Sequence, residues 1–531
     1  MSYYNILNEI QNVSISLSSE KNTKVLLEHI LLAAKKLSQA DGGTIYSVND
    51  NQELIFDTLL NDSLNLHLGG SAPEAMNFEP IPIFIDGQPN MSAAVSHAAS
   101  SGQIINIADL YESSDYNLSN AIAMDKEHGY RTKSVLTIPM KNHEGDLNGV
   151  LQLVNASENG QIIPFTTEVV RTVQALASLA SVALTNRQLI DAMEELFQSF
   201  TQLIAKAIDE KSPYTGGHCR RVPELTMMIA EAVHRHNSGP MADFIMTDAD
   251  RHELNLAGWI HDCGKVATPE YVMDKSKKLE TIFDRIDLVE TRFELAKRDT
   301  ELALTKQLLA ATDDVQRSAI QQQLTDQLNQ LEADFAFVSK ANTGGEFMSP
   351  EDQQRLQDIG ESCQVIVNGE SLALLSEDEI YNLRTARGTL NNEEREIINR
   401  HMDITVEMLE SLPFPKHLKR VPEFAGGHHE KMDGTGYPKK LTRDQMSIPA
   451  RIMAIADIFE ALTAADRPYK DAKKISECLF IMGKMKLGDH IDPDLFDVFV
   501  KEKVYLEYAD KFLKPEQLDA ISEAAIPGFN A

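Results

Sequence analysis

The chain of 531 residues is poor in cysteine, tryptophan and positive charge. Its four cysteines, Cys219, Cys263, Cys363 and Cys478, form no spaced pairs. That excludes a disulfide scaffold and a Cys-rich zinc module. Lys and Arg total 50 against 80 Asp and Glu, a formal charge of −30. Phosphate surfaces attract basic proteins, so neither nucleic acid nor an anionic membrane is expected as the main partner. No stretch approaches the ~20 uninterrupted apolar residues of a membrane helix. The opening MSYYNILNEI lacks the basic-then-apolar pattern of a secretory signal. A soluble protein in the cytoplasm is therefore expected. With 43% hydrophobic and 24% charged residues, the chain is not wholly disordered. At roughly 100–200 residues per domain, its length suggests two to four domains.

Residues 1–186 read as one α/β unit. Val25, Leu26, His29, Leu32, Ala33 and Leu37 recur at helical spacing over about 24–39. SVLTIPMKN (134–142) and LNGVLQLVNA (147–156), joined by HEGD, read as a β-hairpin. A helix follows from near Pro164. Ala175, Leu179, Val182, Asn186, Leu189, Met193, Leu196, Phe200, Leu203 and Ala207 then keep 4,3 steps past the domain edge. A seven-residue apolar repeat needs a partner helix, so a parallel coiled coil over the connecting segment 187–210, and hence a homodimer, is expected. The bland reading is one amphipathic helix packed on its own domain.

Residues 211–531 read as a helical domain with an insertion over 280–388. The first half of the insertion is a helical hairpin. Ile282, Ile286, Val289, Phe293 and Ala296 mark one arm; Ile320, Leu324, Leu328, Leu331, Phe335 and Val338 mark the other; ATDD joins them. The second half mixes turns with short helices, and SEDE (376–379) has the form of a capping box.

The histidines and aspartates of the helical domain carry the chemistry. His261 and Asp262 end the helix HELNLAGWIHDCGK, with Leu254, Ala257 and Gly258 placing His261 inward, and Gly264 lets the chain turn away. His401 shares a face with Ile397, Ile398, Ile404 and Met408, on a helix that Asn391 and Glu394 can cap. Alone, such a histidine is usually a hydrogen-bonded core residue. His428 and His429 are adjacent. Asp457 lies in IPARIMAIADIFEALTAAD, apolar on nearly every side. A buried carboxylate must be paired or bound to a cation, and Arg451 is not on its face. Imidazole and carboxylate together suit iron, manganese or zinc and suit magnesium poorly. Two such ions can share a carboxylate bridge and act on a phosphoryl centre. Residues 413–475 hold twelve Lys and Arg against eight Asp and Glu, a local +4 inside an acidic chain, which favours an anionic substrate. The loop HHEKMDGTGYPKK adds Gly434, Gly436, Tyr437 and Pro438, a combination that can approach a phosphate or a base closely.

SPYTGGHCRRV (212–222), HDCGK (261–265), HHEKMDGTGYP (428–438) and ARIMAIADIFEALTAADRPYK (450–470) closely resemble, in order, the motifs of the HD-GYP family. That family is a helical branch of the HD phosphohydrolases, and its active members hydrolyse cyclic di-GMP to pGpG and often onward to GMP. The resemblance implies two divalent metal ions, iron or manganese first, zinc or nickel as alternatives. One would be held by His218, His261, Asp262 and Asp457. The other would be held by Asp262 as bridge with His401, His428 and His429. A bridging hydroxide would attack phosphorus in line, with the ribose O3′ leaving. Lys265 would contact the scissile phosphate, and Arg467 and Lys470 the phosphates or guanine, with Tyr437 and Gly436 lining the substrate. Tyr214 stands where some members carry a metal-binding Glu, so two ions rather than three are expected. The insertion is longer than in compact members, and DRPYK stands one residue further from ALTAA than in the commoner pattern.

Residues 1–186 resemble a GAF domain in their helix–strand order, in SVLTIPMKN with GVLQLVNA, and in the closing ASLASVALTNRQL. This implies an antiparallel sheet with helices that senses a small ligand or dimerises. Phe165 is followed by TTEVV, so the cyclic-nucleotide signature of some GAF domains is absent; with no cysteine before Cys219, a thioether-linked bilin is excluded. His29, His67, His97, His128 and His143 read as surface or core residues. The expectation is a GAF-regulated cyclic di-GMP phosphodiesterase. The alternatives are an enzyme for a related dinucleotide such as cyclic GMP-AMP, or a catalytically silent metal- and nucleotide-binding signalling module.

Overall fold

The computed structural model describes residues 11, 22–49, 51–72, 78–113, 119–211, 217–345, 347–465 and 472–529. Tyr214, Arg467 and Lys470 lie outside them. The chain divides into two compact units, Met1–Leu196 and Phe197–Ala531.

In the first unit, Asn22 caps α1 (Thr23–Ser38) by accepting from the Lys24 amide. The strands and helices that follow are β1 (Ala40–Val48), β2 (Glu53–Asn61), β3 (Leu66–Gly69), β4 (Ile81–Pro82), β5 (Phe84–Ile85), β6 (Gln88–Pro89), α2 (Ala94–Ser101), β7 (Ile105–Ile107), α3 (Ser119–His128), β8 (Val135–Lys141), β9 (Leu147–Glu158), β10 (Gln161–Ile162) and α4 (Thr167–Lys211). The main sheet is antiparallel in the order β3-β2-β1-β9-β8-β7, with β4 on β2 and β10 on β9. The expected hairpin is β8–β9, with Ile138 opposite Leu151. Leu27, Ile30, Leu31 and Ala34 of α1 share a core with Ile45, Leu136, Leu151 and Leu153 of the sheet and with Val173, Leu176, Ala177 and Ala180 of α4. Leu32, expected inward, is exposed instead, because that stripe sets the rotation of α1.

α4 therefore has two apolar faces. One lies on the sheet. The other holds the whole seven-residue seam, and every member from Ala175 to Ala207 is exposed; Met193 is 70% and Leu203 60% accessible. The seam is not the face by which the helix packs on its own domain.

The second unit is helical: α5 (His218–Arg235), α6 (Asp248–Ile260), α7 (Glu270–Met273), α8 (Ile286–Ala310), α9 (Asp314–Asn342), α10 (Pro350–Ser362), a hairpin of β11 (Gln364–Val367) and β12 (Glu370–Ala373), then α11 (Glu377–Leu383), α12 (Asn392–Glu410), α13 (Val421–Gly426), α14 (Ile448–Thr463), α15 (Ile475–Leu487), α16 (Pro493–Lys501) and α17 (Val504–Phe512). Its main core joins Val222 and Ile229 of α5, Leu254 and Ala257 of α6, Phe424 of α13, Ile455 and Phe459 of α14, and Phe496 and Phe499 of α16. Full burial of such side chains contributes roughly 1.5–3 kcal/mol each.

The insertion has a core of its own, with Val289, Phe293, Leu331, Val338, Leu356, Val365, Leu375 and Leu383. The helical hairpin is α8–α9. Ile282 precedes α8 and is almost wholly exposed, so it is not part of that arm. The insertion is also not purely helical. β11 and β12 pair around Asn368 (φ 53°) and Gly369 (φ 84°), the two left-handed positions of a tight hairpin turn. Ser376–Glu379 and Asn391–Glu394 both form capping boxes.

Candidate metal centre

Five helices of the helical unit deliver seven side chains to one place. His218 opens α5, and His261 closes α6 with Asp262 next to it. His401 comes from the middle of α12, His428 and His429 follow α13, and Asp457 comes from α14. Asp262, 2% exposed, is central. Its Oδ2 lies 3.2 Å from Nε2 of both His218 and His261. Its Oδ1 lies 3.2 Å from His401 Nε2 and 3.9 Å from His428 Nε2. Asp457 Oδ1 is 3.5 Å from His218 Nε2 and 3.9 Å from His261 Nε2. The His429 ring centres 4.3 Å from His428 and 5.3 Å from His401. Two groups result, each with ligand atoms within 4.8 Å of one another: His218, His261, Asp262 and Asp457; and Asp262, His401, His428 and His429.

The far side of each ring explains which nitrogen is free. Nδ1 of His261 meets the Gly258 carbonyl at 2.7 Å, His428 meets that of Ala425 at 2.7 Å, and His401 meets that of Ile398. A carbonyl only accepts, so Nδ1 carries the proton and Nε2 of a neutral ring presents a lone pair. Nε2 of His261, His401 and His428 and Oδ1 of Asp262 are buried without a hydrogen-bond partner. Orphaned acceptors of this kind cost free energy unless something electropositive fills the space between them. A nitrogen–oxygen donor set with these orphans fits one or two divalent cations of the iron, manganese or zinc type.

The electrostatics agree. Burial, reinforced by neighbouring imidazoles, pushes the pKa values of His428 and His429 well below the usual range. Burial also opposes ionisation of Asp262, but the Lys265 ammonium and His261 outweigh it and hold the carboxyl well below its ordinary value. His218 moves the other way. Burial resists its charge, yet the Glu460 carboxylate raises it to about 10.

Lys265 Nζ donates to Asp262 Oδ2 at 2.5 Å, so it lies at the site. Tyr437 stacks on His429, ring centres 4.9 Å apart and planes 19° apart. Gly436 is needed by the loop itself: a Cβ there would lie 2.4 Å from Lys431 N. Two local expectations are corrected. The inward face of α12 is Glu394, His401, Thr405 and Leu409, whereas Ile397 and Met408 are exposed. At Gly264 the constraint is close approach, since a Cβ would lie 2.0 Å from the His401 carbonyl oxygen.

Sequence reasoning missed four supporting residues. Glu460 holds His218 Nδ1, and Arg221 holds Glu460. Thr405 accepts from the Gly264 amide. Glu430 accepts from the amides of Lys439 and Leu441. Only Glu460 left a signal, a second acid one turn after Asp457 in an apolar helix.

Residues 22–184 match the GAF domain family and residues 377–495 match an HD domain family. The chain is 40% identical over 114 residues to 3′3′-cGAMP-specific phosphodiesterase 1 of Vibrio cholerae, covering 22% of this chain and 26% of that protein. It is 36% identical over 114 residues to a cyclic di-GMP phosphodiesterase of Pseudomonas aeruginosa, covering 22% and 26%. It is 33% identical over 120 residues to a cyclic di-GMP phosphodiesterase response regulator of Xanthomonas campestris, covering 23% and 31%. The chain thus spans about a quarter of the length of the curated relatives it matches. No described helix is long and apolar enough to cross a membrane.

Proposed function

We propose that this chain is a metal-dependent phosphodiesterase of the HD-GYP type that hydrolyses a cyclic dinucleotide, cyclic di-GMP first and cyclic GMP-AMP second. The observation that carries the reading is the set of orphaned ring nitrogens around the two oxygens of Asp262. The names of the matched relatives supply the substrate class.

Two divalent cations, iron or manganese, held by His218, His261, Asp262 and Asp457 and by Asp262, His401, His428 and His429, would supply Lewis acidity and a water of lowered pKa. Lys265 keeps its charge beside Asp262 and is placed to neutralise a non-bridging phosphate oxygen. Tyr437, stacked on His429, offers an aromatic wall to a base. The catalytic domain is assigned to 211–531, with its insertion at 280–388, and a sensor to 1–186 that binds a small ligand. The helix over 187–210 joins them. Its exposed seam pairs in parallel with that of a second copy, because ten exposed positions in register are what a coiled-coil partner buries.

The test is product analysis with both dinucleotides, using full-length protein purified anaerobically and supplied with iron or manganese. Hydrolysis to pGpG or GMP is expected, and the double variant His261→Ala/Asp262→Ala should fold but not turn over. No hydrolysis with either metal would leave a binding module instead.

A further inference from the structure

We propose that Glu460 is a positioning residue for metal binding: it holds a proton on His218 Nδ1 and turns the ring so that Nε2 faces Asp262 and Asp457. This rests on the reading of the seven side chains as a metal site, and the experiment below separates the two.

His218 is held unlike its neighbours. His261, His401 and His428 each give Nδ1 to a main-chain carbonyl three residues back in sequence. His218 Nδ1 instead meets a side-chain carboxylate, Glu460 Oε2, at 2.5 Å. The two residues are 242 positions apart in sequence, so this contact is made by the tertiary fold.

The Glu460 carboxylate meets one residue with each oxygen, His218 and Arg221. It is 1% exposed. It follows Asp457 by one turn of α14, so one helix face presents a candidate ligand and then the residue that holds another. Its second oxygen accepts from Arg221 Nε at 2.7 Å. Arg221 in turn follows His218 by one turn of α5. The carboxylate therefore sits in a clasp whose both ends belong to α5. Arg221 compensates its buried charge and fixes its rotamer, and its free direction is toward the imidazole.

The chemistry follows from the acceptor. An ionised carboxylate has no proton to give, so Nδ1 keeps its proton, and Nε2, 3.2 Å from Asp262 Oδ2, is the nitrogen left to give up its proton to an incoming cation. A carboxylate is also a stronger acceptor than a carbonyl and makes the ring a better donor. Loss of such an outer partner costs about 10–100-fold in metal affinity. Gln in its place would offer an amide N–H to either Arg221 or the ring. Against the ring it would force the proton onto Nε2, the atom that must ligate.

The experiment titrates Mn(II) into the metal-free full-length protein by calorimetry, with metal analysis of the product, and records thermal unfolding of each apo-protein separately. The unaltered chain should take two ions. Glu460→Gln should weaken one of the two by 10–100-fold. Glu460→Asp keeps the charge on Arg221 but withdraws from the ring, so it should fall between; if the Gln variant does not fold, the Asp variant carries the comparison. In a His218→Ala background, adding Glu460→Gln should cost nothing further, because Glu460 acts through that ring. The inference is overturned if a folded Glu460→Gln or Glu460→Asp protein keeps both affinities. It is also overturned if the loss persists in the absence of the His218 imidazole. If the unaltered chain binds no Mn(II), the metal-site reading itself fails, which is a different result.

Discussion

The Gly264 amide donates to the Thr405 hydroxyl at 2.9 Å, clamping the turn after Asp262 onto the helix that carries His401. The approach is so close that a Cβ on Gly264 would lie 2.6 Å from Thr405 N. Gly264→Ala should therefore drive the turn away from α12, part Asp262 from His401, and lower both bound metal and melting temperature. Thr405→Val leaves a buried amide without an acceptor and should cost about 1–3 kcal/mol in urea unfolding. Thr405→Ser, which keeps the oxygen, should recover most of it.

That contact also shows where sequence reasoning stops. The sequence marks Gly264 as a glycine the chain needs and suggests a turn as the reason, whereas the structure shows close packing against α12. The true neighbour is 141 residues away in sequence. Five of the residues that converge at the centre were legible because HD, HH and the acid in an apolar helix are odd locally; His218 and His401 stood out only through the resemblance of the motifs. Glu460 is odd in the same way, but its role was not legible, because a carboxylate one turn from Asp457 acquires one only when α5 arrives beside it. The β11–β12 hairpin is the opposite case. Asn368–Gly369 between β-rich runs is a local turn signal, overlooked inside a stretch that read as turns and short helices. Ile282 and Leu32 matched a helical period and still face water, since periodicity fixes a stripe only to within about one residue of rotation.

Glu430 staples the glycine-rich loop shut. Its buried carboxylate accepts from the amides of Lys439 at 2.6 Å and Leu441 at 3.0 Å. Glu430→Gln can satisfy only one of them well, and a hydrogen bond to a charged group is worth about 1.5–3 kcal/mol. The loop carries Tyr437, which stacks on His429 at the centre. The expected result is a several-fold rise in KM for the dinucleotide with metal content unchanged. Steady-state kinetics beside metal analysis would show it; lost metal with KM intact would place the loop's role in ion binding instead.

The seam of α4 predicts an oligomeric state. Met193 and Leu196 are exposed in a single chain, so Met193→Glu/Leu196→Glu should leave each chain folded while placing like charges opposite each other in the pair. Sedimentation should show a dimer for the unaltered protein and a monomer for the variant. Asn186, also on the seam, should act in the opposite sense. Asn186→Ile buries an apolar side chain where an amide sat and should tighten the dimer while relaxing its register.

Lys278 gives a prediction in pH. It is 1% exposed, and its ammonium donates to the carbonyls of Leu383 at 2.9 Å and Thr385 at 2.8 Å, tying the start of the insertion to its end. Burial lowers its pKa from 10.5 to about 8. In the unfolded chain it keeps its proton until about pH 10.5, so between pH 8 and 10.5 the unfolded state binds more protons than the folded one. Unfolding free energy must then rise with pH across that window through this group, whereas below pH 8 its burial penalty is present in full. Other lysines and tyrosines titrate there too, so the quantity to measure is the difference between the unaltered protein and Lys278→Met in urea unfolding at each pH. Removing the ammonium also strands two carbonyls, which offsets the two curves by an amount that does not depend on pH. The gap between them should shift in favour of the unaltered protein from pH 8 upward and be flat below it. A gap that is flat throughout would mean that the folded protein holds this lysine charged as firmly as water does, and that the two carbonyls compensate its burial completely.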